Sequence, residues 1–316
     1  MLAFAISCSA DRPAFLPPWQ AEMLCRWDAG RSAQTLVLKH DSSGNPQALL
    51  FAEPAGRDTL IWTFDLESRR LSSVRIQDLG HVSDLAFSVC AGASDGLYAS
   101  VISDYFGRNS SGIVRIDIDA GSWQTVMRSR DELSTLAIER VLRDGSLESG
   151  RIFYGMRANI HMGCCNLDGS EARTMHKVGS NPRGLVFDIP RANGVTDGLF
   201  YICGNHTPSV VLRPYRVNGG SCRDAMVGGT QYAVDADILR NADGTGSDVL
   251  LLTGSKLLQI YGGQWQVQFS SAKVLAGGLF HAGGLASDRL GNIYVLECGR
   301  GLLWKMSKPG IDGKKN

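Results

Sequence analysis

The sequence predicts an all-β protein made of repeated four-stranded sheets, and three observations support this prediction. Two short apolar strands separated by a turn rich in Gly, Asp and Asn recur along the chain, as in VSDLAFSV...SDGLYASVIS and PRGLVFDI...TDGLFYICG. A third and usually a fourth strand follow each such pair, as in GIVRIDID and SWQTVM. The periodicity of an amphipathic helix is nearly absent. A repeat of this kind predicts one supersecondary unit used several times.

The repeat has a regular spacing that predicts six units. Equivalent positions are separated by 51, 49, 51 and 49 residues, and one further step back reaches Leu36; the anchors are Leu85, Leu136, Leu185, Ala236 and Leu285. Four short strands in each unit are typical of a β-propeller blade, because radially packed sheets cover one another's faces. The predicted blades span about 30–78, 79–130, 131–178, 179–228, 229–275 and 276–306, within one domain of residues 1–316.

The last unit is one strand short, which predicts how the ring closes. It contains only HAGGLASDR, NIYVLEC and LLWKM, so we expect an N-terminal strand at 20–28, AEMLCRW, to supply the outer strand. The segment RSRDELSTLAIERVL is the one place with a helical pattern, and its position in the repeat supports a strand at least as well as a helix. Gly184 and Gly284 lie in predicted inner strands, where small residues let neighbouring backbones approach.

Composition excludes several classes of function. Lys and Arg total 32 against 31 Asp and Glu in 316 residues, so no basic field is available for nucleic acid. No apolar run approaches the roughly 20 residues of a membrane span.

The N-terminus is a poor signal peptide, which slightly favours the cytoplasm. The eight cysteines form no CxxC pair and are expected to be buried thiols. Neither GxGxxG after a strand nor GxxxxGK[ST] is present, so no organic cofactor is expected. A closed ring predicts a monomer.

Several blade phrases resemble those of a known superfamily. NPRGLVFDI, HAGGLASDRLGNIYVLE and TLIWTFDLESRRL are similar to the phrases of six-bladed propellers that include gluconolactonase-like and senescence-marker-type lactonases, strictosidine-synthase-like enzymes and NHL repeats. The stretch from TFDLESRRL to SWQTVM is also similar to the yellow and royal-jelly proteins, and fungal natural-product cyclases share the architecture. The resemblance spans residues 30–306 and implies a small-molecule site or ligand pocket on the propeller axis.

In propellers of this kind, the loops before the inner strands and after the second strands open onto one mouth. The predicted catalytic residues at this mouth are Asp84, Asp235, His81 and His281. The predicted substrate-binding residues are Tyr232, Arg183, Arg157, Asn205, His206 and Glu297. Asp84 has a second interpretation, as a turn residue that caps backbone amides. A histidine beside the axis has one too, as a hydrogen-bonded structural residue.

The resemblance to lactonases implies an axial Ca²⁺, because those relatives hold one metal with Glu, Asn and Asp. By position, Asn181, Asp235 and Asp84 are the predicted metal ligands. The chain departs from the family pattern where the EGPxW glutamate is expected, since the first unit begins as RSAQTLVLKH, and NPRG replaces the usual PNG.

The sequence predicts three alternative functions. The first is metal-assisted hydrolysis of a lactone or ester, with Asp235 or Asp84 as the base. The second is a metal-independent cyclase or isomerase of natural-product biosynthesis, in which His81, His281, Tyr232 and Arg183 polarise a carbonyl or enol. The third is a noncatalytic carrier of a small ligand, like the yellow proteins, and it is favoured by the missing glutamate.

Overall fold

The described part of the chain consists almost entirely of β-strands. The structure is a computed structural model that describes residues 13–27, 33–41, 45–88, 96–106, 111–143, 146–157, 161–177, 181–187, 199–206, 209–216, 225–227, 233–240, 247–260 and 272–309. In these ranges the helical elements are two 3₁₀ turns, Asp104–Phe106 and Cys298–Arg300. Neither could cross a membrane, and the described residues contain no longer apolar helix.

The strands follow the predicted repeat in chain order. The N-terminal segment forms β1 (Ala14–Phe15) and β2 (Gln20–Arg26). Sheet 1 contains β3 (Gln34–His40), β4 (Pro46–Ala55), β5 (Asp58–Asp65) and β6 (Leu71–Ile76). Sheet 2 contains β7 (His81–Ser88), β8 (Gly96–Ile102), β9 (Ser111–Asp117) and β10 (Ser122–Ser129). Sheet 3 contains β11 (Leu133–Arg143), β12 (Ser146–Met156), β13 (His161–Cys165) and β14 (Arg173–Lys177).

The second half of the chain repeats the same arrangement. Sheet 4 contains β15 (Asn181–Phe187), β16 (Leu199–His206), β17 (Ser209–Arg216) and β18 (Ala225–Val227). Sheet 5 contains β19 (Ala233–Arg240), β20 (Ser247–Thr253), β21 (Lys256–Ile260) and β22 (Lys273–Gly277). Sheet 6 contains β23 (Ala282–Ser287), β24 (Ile293–Glu297) and β25 (Leu302–Ser307). The segment with an ambiguous helical pattern is therefore a strand, β11.

The chain has a β-propeller fold, with antiparallel pairing of consecutive strands in every sheet. The N-terminal strand β2 pairs with β25 and completes sheet 6, as the short last unit predicts. The prediction of six four-stranded blades is wrong: five sheets have four strands, and sheet 5 has five. The reason is that β1 adds to its edge, where Ala14 and Phe15 pair with Gly277 and Ala276.

The inner strands surround the axis, and the cores lie between sheets. The inner strands β3, β7, β11, β15, β19 and β23 contact one another in a closed cycle. One core cluster joins sheets 1 and 2 through Leu50 and Leu85, and another joins sheets 6 and 1 through Leu296 and Phe51. A side chain at Gly284 would collide with the backbone of Leu36, which explains why glycine lies in this inner strand. The packing brings residues about 50 positions apart to one axis.

Trp19 packs the N-terminal segment against sheets 5 and 6. Its side chain is 5% exposed and packs in one cluster with Leu275 of sheet 5 and Met306 of sheet 6. We expect Trp19→Ala to lower the free energy of unfolding by about 3–5 kcal/mol, because a large buried side chain leaves a cavity. Urea denaturation measures this loss. Leu16→Ala is the control, since Leu16 is 41% exposed and its truncation should change stability by no more than about 0.5 kcal/mol.

Candidate functional site

A β-bulge recurs near the start of every inner strand. The register with the second strand shifts between Gln34 and Leu36 in β3, and between Ala233 and Asp235 in β19. The other four inner strands shift at the corresponding place. A bulge inserts one extra residue and redirects the side chains around it. The extra residues in chain order are Thr35, Ser83, Ser134, Arg183, Val234 and Gly283.

The six bulges line a cavity at the inner strands, which we call the axial cavity. Its volume is about 400 Å³, which is within the usual range of small-molecule sites. Every inner strand contributes its bulge residue to the wall. Four of the predicted site residues also line it: Asp84, Arg183, Asp235 and His281. The structure therefore brings these four predicted residues to one cavity.

Asp84 is saturated with hydrogen bonds that connect three sheets. Its Oδ1 accepts hydrogen bonds from Thr35 Oγ1 (2.7 Å) and from its neighbour Leu85 N (2.8 Å). Its Oδ2 accepts from Thr135 Oγ1 (2.9 Å) and Leu136 N (2.8 Å). A carboxylate has about four acceptor positions, and all four of these are occupied. This geometry agrees with the interpretation of Asp84 as a cap for backbone amides.

Asp235 makes the same type of connection but with fewer donors. Its Oδ1 accepts a hydrogen bond from Ala236 N (2.8 Å), and its Oδ2 accepts one from Leu285 N in sheet 6 (2.8 Å). No hydroxyl among the described residues donates to it, so this part of the chain leaves two of its acceptor positions for a molecule in the axial cavity.

The difference between the two aspartates arises from the residues at equivalent positions in neighbouring sheets. In the positions immediately before the six repeat anchors, the chain has Thr35, Asp84, Thr135, Gly184, Asp235 and Gly284. Threonines flank Asp84 on both sides and fill its acceptor positions. Glycines flank Asp235 and offer it no side-chain donor. Asp235 is therefore the carboxyl group of the pair that is open to a ligand.

Both carboxyl groups are weaker acids than an ordinary aspartate, because each has a raised pKa. Burial raises the pKa of Asp84, and its hydrogen bonds partly offset the effect. The pKa of Asp235 is raised well above the ordinary range, first by burial and then by the negative charge of Asp84. Because Asp84 has more donors, we assign the negative charge to Asp84 and the proton to Asp235. A protonated carboxyl group in a cavity can donate a hydrogen bond or a proton.

The raised pKa values predict how stability depends on pH. A carboxyl group whose pKa is higher in the folded state binds more protons there, so stability falls as pH rises from about 4 through the folded pKa. We expect the free energy of unfolding to decrease over this range, and the decrease to be shallower in Asp235→Asn. Urea denaturation at a series of pH values measures both slopes. A stability that rises with pH over the same range in both proteins would contradict the assignment.

His281 and Arg183 complete the polar wall of the axial cavity. His281 has φ of 51°, a left-handed conformation that is unfavourable for a residue other than glycine. Its carbonyl oxygen accepts a hydrogen bond from Cys298 N (3.0 Å). Arg183 is the bulge residue of β15, so its position follows directly from the repeated register shift.

Cys298 lines the cavity but is not suited to be a nucleophile. Its Sγ–H donates to the carbonyl oxygen of Ala33 (2.6 Å), and burial raises the pKa of the thiol to about 12. Among the cysteines whose side chains are described, Cys164 and Cys165 are also buried and free, and Cys25 is half-buried and free. The expectation of buried thiols is confirmed for Cys164, Cys165 and Cys298.

Glu297 does not contact the axial cavity as a substrate-binding residue should. Its side chain is 0% exposed and accepts hydrogen bonds from Phe280 N (2.8 Å) and Trp304 Nε1 (2.8 Å). It also forms an ion pair with Arg300. The predicted substrate-binding role is therefore corrected to a structural role beside sheet 6, because Phe280, Trp304 and Arg300 enclose the carboxylate.

His81 and Arg157 are placed outside the lining of the axial cavity. Arg157 is exposed and donates to Glu132 at 2.6 Å. His81 is exposed by solvent-accessible area, yet neighbouring atoms desolvate its ring and lower its pKa, while Glu132 raises it in part. The catalytic role predicted for His81 and the substrate-binding role predicted for Arg157 both require a position beside Asp235. Neither residue lines the cavity that contains Asp235.

Four predicted site residues lie wholly or partly outside the described residues. Tyr232 lies outside the described residues, and only the backbone is described for Asn181, Asn205 and His206. In the backbone, Asn181 pairs with Asn205 where β15 begins and β16 ends. Their side-chain roles stay predictions.

The sequence interpretation missed several lining residues, among them the polar residues Gln34, Thr35 and Ser134. The signal that identifies Thr35 and Ser134 is their position one or two residues before a repeat anchor.

The described residues around the cavity do not fit the Ca²⁺ site that the lactonase resemblance implies. Ca²⁺ takes six to eight oxygen ligands. Asp84 has no free acceptor position, and Asp235 already accepts two backbone hydrogen bonds. Within the ranges that the structure describes, no group of three or more His, Cys, Asp or Glu side chains could hold a metal. The ligand role of Asp84 is therefore corrected, and that of Asn181 stays a prediction.

Comparisons with known proteins give a result for the fold only. No family model matches the chain, and no curated protein matches it. Solved structures do match. One is a protein assigned to the gluconolactonases, at 12% identity and a TM-score of 0.57, covering 93% of this chain and 94% of that chain.

Two further structures agree with this fold. A glucose dehydrogenase matches at 14% identity and a TM-score of 0.58, covering 90% of this chain and 98% of that one. The calcium structure of the Trichoderma reesei family AA12 enzyme matches at 11% identity and a TM-score of 0.61, covering 94% and 97%. At these identities, the similarity establishes the β-propeller architecture and does not identify the activity, which has to be inferred from the residues of the cavity.

Proposed function

We propose that this protein is an enzyme that transfers a proton to and from a small carbonyl compound in the axial cavity, with Asp235 as the general acid and base. One observation carries the proposal: Asp235 is a half-buried carboxyl group of the cavity wall with a raised pKa, two acceptor positions that no described residue fills, and glycine neighbours on both sides. A group of this kind is most effective when its pKa approaches the working pH.

The rest of the cavity supports a carbonyl substrate. Protonated Asp235 donates to the carbonyl oxygen, and the resulting carboxylate can accept a proton from the neighbouring carbon, which balances the transfer. Arg183 and His281 line the same wall and add donors that stabilise negative charge developing on the oxygen. Enolisation, isomerisation and ring closure through an enol all need this arrangement, in which positioning provides much of the acceleration.

Metal-assisted hydrolysis of a lactone or ester is the other enzymatic prediction. It draws support from the propeller folds of a protein assigned to the gluconolactonases and of the AA12 family member in its calcium structure. The donor set described above favours the metal-independent reaction, because it provides one open carboxyl group where a Ca²⁺ site needs several oxygen ligands. The noncatalytic carrier predicts binding in the same cavity with no proton transfer.

The proposal can be tested without knowledge of the natural substrate. We expect the protein to catalyse exchange of deuterium from D₂O into the carbon next to the carbonyl in a panel of small ketones and lactones, followed by proton NMR. Exchange should persist after treatment with a chelator and disappear in Asp235→Asn. Binding of panel compounds without exchange would favour the carrier. Lactone hydrolysis that is lost with chelator and restored by Ca²⁺ would contradict the proposal and support the hydrolase.

A further inference from the structure

The residues before β23 form a short loop, Gly278–His281, which presents His281 to the axial cavity. We call it the His281 loop. Gly278 has φ of 73° and His281 has φ of 51°, so the loop contains two left-handed residues, one of which is not a glycine. Such a conformation persists only when surrounding contacts hold it in place. The loop therefore needs a support that holds it from outside the cavity.

Two charged side chains contact the His281 loop from the turn after β24. Glu297 Oε1 accepts a hydrogen bond from Phe280 N (2.8 Å), and Arg300 Nη1 donates to the carbonyl oxygen of Gly278 (3.2 Å). Glu297 and Arg300 also pair with each other. The Arg300 guanidinium lies 5.8 Å from the centre of the Phe280 ring. These contacts connect both ends of the ion pair to the loop.

Backbone contacts extend the same support to His281. Gly299 N donates to the carbonyl oxygen of Phe280 (3.0 Å), and Cys298 N donates to that of His281 (3.0 Å). The Phe280 and His281 rings meet edge to face at 4.6 Å. A side chain at Gly299 would collide with Phe280, so the turn and the loop are packed closely.

The burial of Glu297 is hard to explain by the stability of sheet 6 alone. Its side chain is 0% exposed, and a buried ion pair can often be replaced by apolar residues without loss of stability. Fixing a unique geometry is another role that such pairs have in some proteins. Here the geometry that it fixes is that of the loop carrying His281.

We infer that Glu297 and Arg300 form a clamp that positions His281 in the axial cavity, and that neither is itself a catalytic residue. The inference rests on the proposed function, since the position of His281 matters for chemistry only if the cavity is the site. The clamp itself can be measured in the free protein, without any substrate.

The test follows the His281 ring by NMR in the intact protein, with its signal assigned by His281→Ala. In the parent, we expect the nearby Phe280 ring to change the chemical shifts of the His281 ring protons and to give an NOE cross-peak with them. In Glu297→Gln and Arg300→Met, this change in chemical shift should fall by more than half and the cross-peak should disappear. Hydrogen exchange at the amides of Phe280, Cys298 and Gly299 should speed up roughly tenfold. Signals of the other histidines should stay in place.

Trp304→Phe is the matched control, because it removes a donor from the same carboxylate at Oε2 and leaves the contact with Phe280 intact. It should leave the His281 signal unchanged. An unchanged signal in both clamp variants overturns the inference, and so does an equal change in Trp304→Phe, which would show a general loosening of sheet 6. Full turnover in His281→Ala would instead count against the role of His281 in the proposed function and leave the clamp intact.

Discussion

Asp235→Asn is expected to reduce proton exchange by about 10²–10⁴-fold, the usual contribution of a positioned acid or base. Asparagine has nearly the same shape, but its amide cannot give up and regain the proton. Because its nitrogen cannot accept the hydrogen bond from Leu285 N or Ala236 N, stability should also fall by about 1–3 kcal/mol. Deuterium-exchange rates, measured where the variant is fully folded, separate the two effects.

The pH profile provides a second measurement of the same prediction. Since burial and the charge of Asp84 raise the pKa of Asp235, the limb of the profile that depends on it should lie above the ordinary range of an aspartate. Asp84→Asn removes that charge, so this limb should move toward lower pH. Retention of full exchange activity in Asp235→Asn would show that the acid and base lies elsewhere.

Asp84→Asn is expected to have the opposite balance of effects, with a large loss of stability and a modest loss of activity. An amide nitrogen at Oδ2 would leave Leu136 N without its acceptor, and it would remove the charge that four donors stabilise. We expect the free energy of unfolding to fall by about 2–4 kcal/mol, measured by urea denaturation. At temperatures where the variant is folded, exchange should stay within a few-fold of the parent.

Thr135→Val is a milder variant at the same connection. It removes one hydroxyl donor to Asp84 and leaves the backbone donor Leu136 N in place. Its loss of stability should be about 1 kcal/mol, smaller than that of Asp84→Asn. If Asp84→Asn were as stable as the parent but inactive, the roles of the two aspartates would have to be exchanged.

Much of the architecture follows from the sequence because the repeat is visible there. The anchors from Leu36 to Leu285 predict the inner strands, and the short last unit predicts the pairing of β2 with β25. The strand β1 could not be predicted, since two residues have no periodicity. Its pairing with Gly277 and Ala276 depends on where the N-terminal segment lies after folding.

The candidate site shows the same division. Asp84, Arg183, Asp235 and His281 were predicted to converge because residues at equivalent positions of a repeat approach one axis. Glu297 lies at the other position from which convergence was predicted, the end of a second strand, yet its carboxylate is bound by Phe280 and Trp304. Position in the repeat does not reveal which carboxylates are enclosed.

The sequence by itself determined the propeller, the closing strand and four of the polar residues near the axis, because a period of about 50 residues encodes which positions are equivalent. Only the tertiary structure decided that Asp84 is saturated and Asp235 is open. The physical reason is that hydrogen-bond partners from neighbouring sheets, the threonines at 35 and 135 beside one aspartate and glycines beside the other, meet these carboxylates only when the ring has closed.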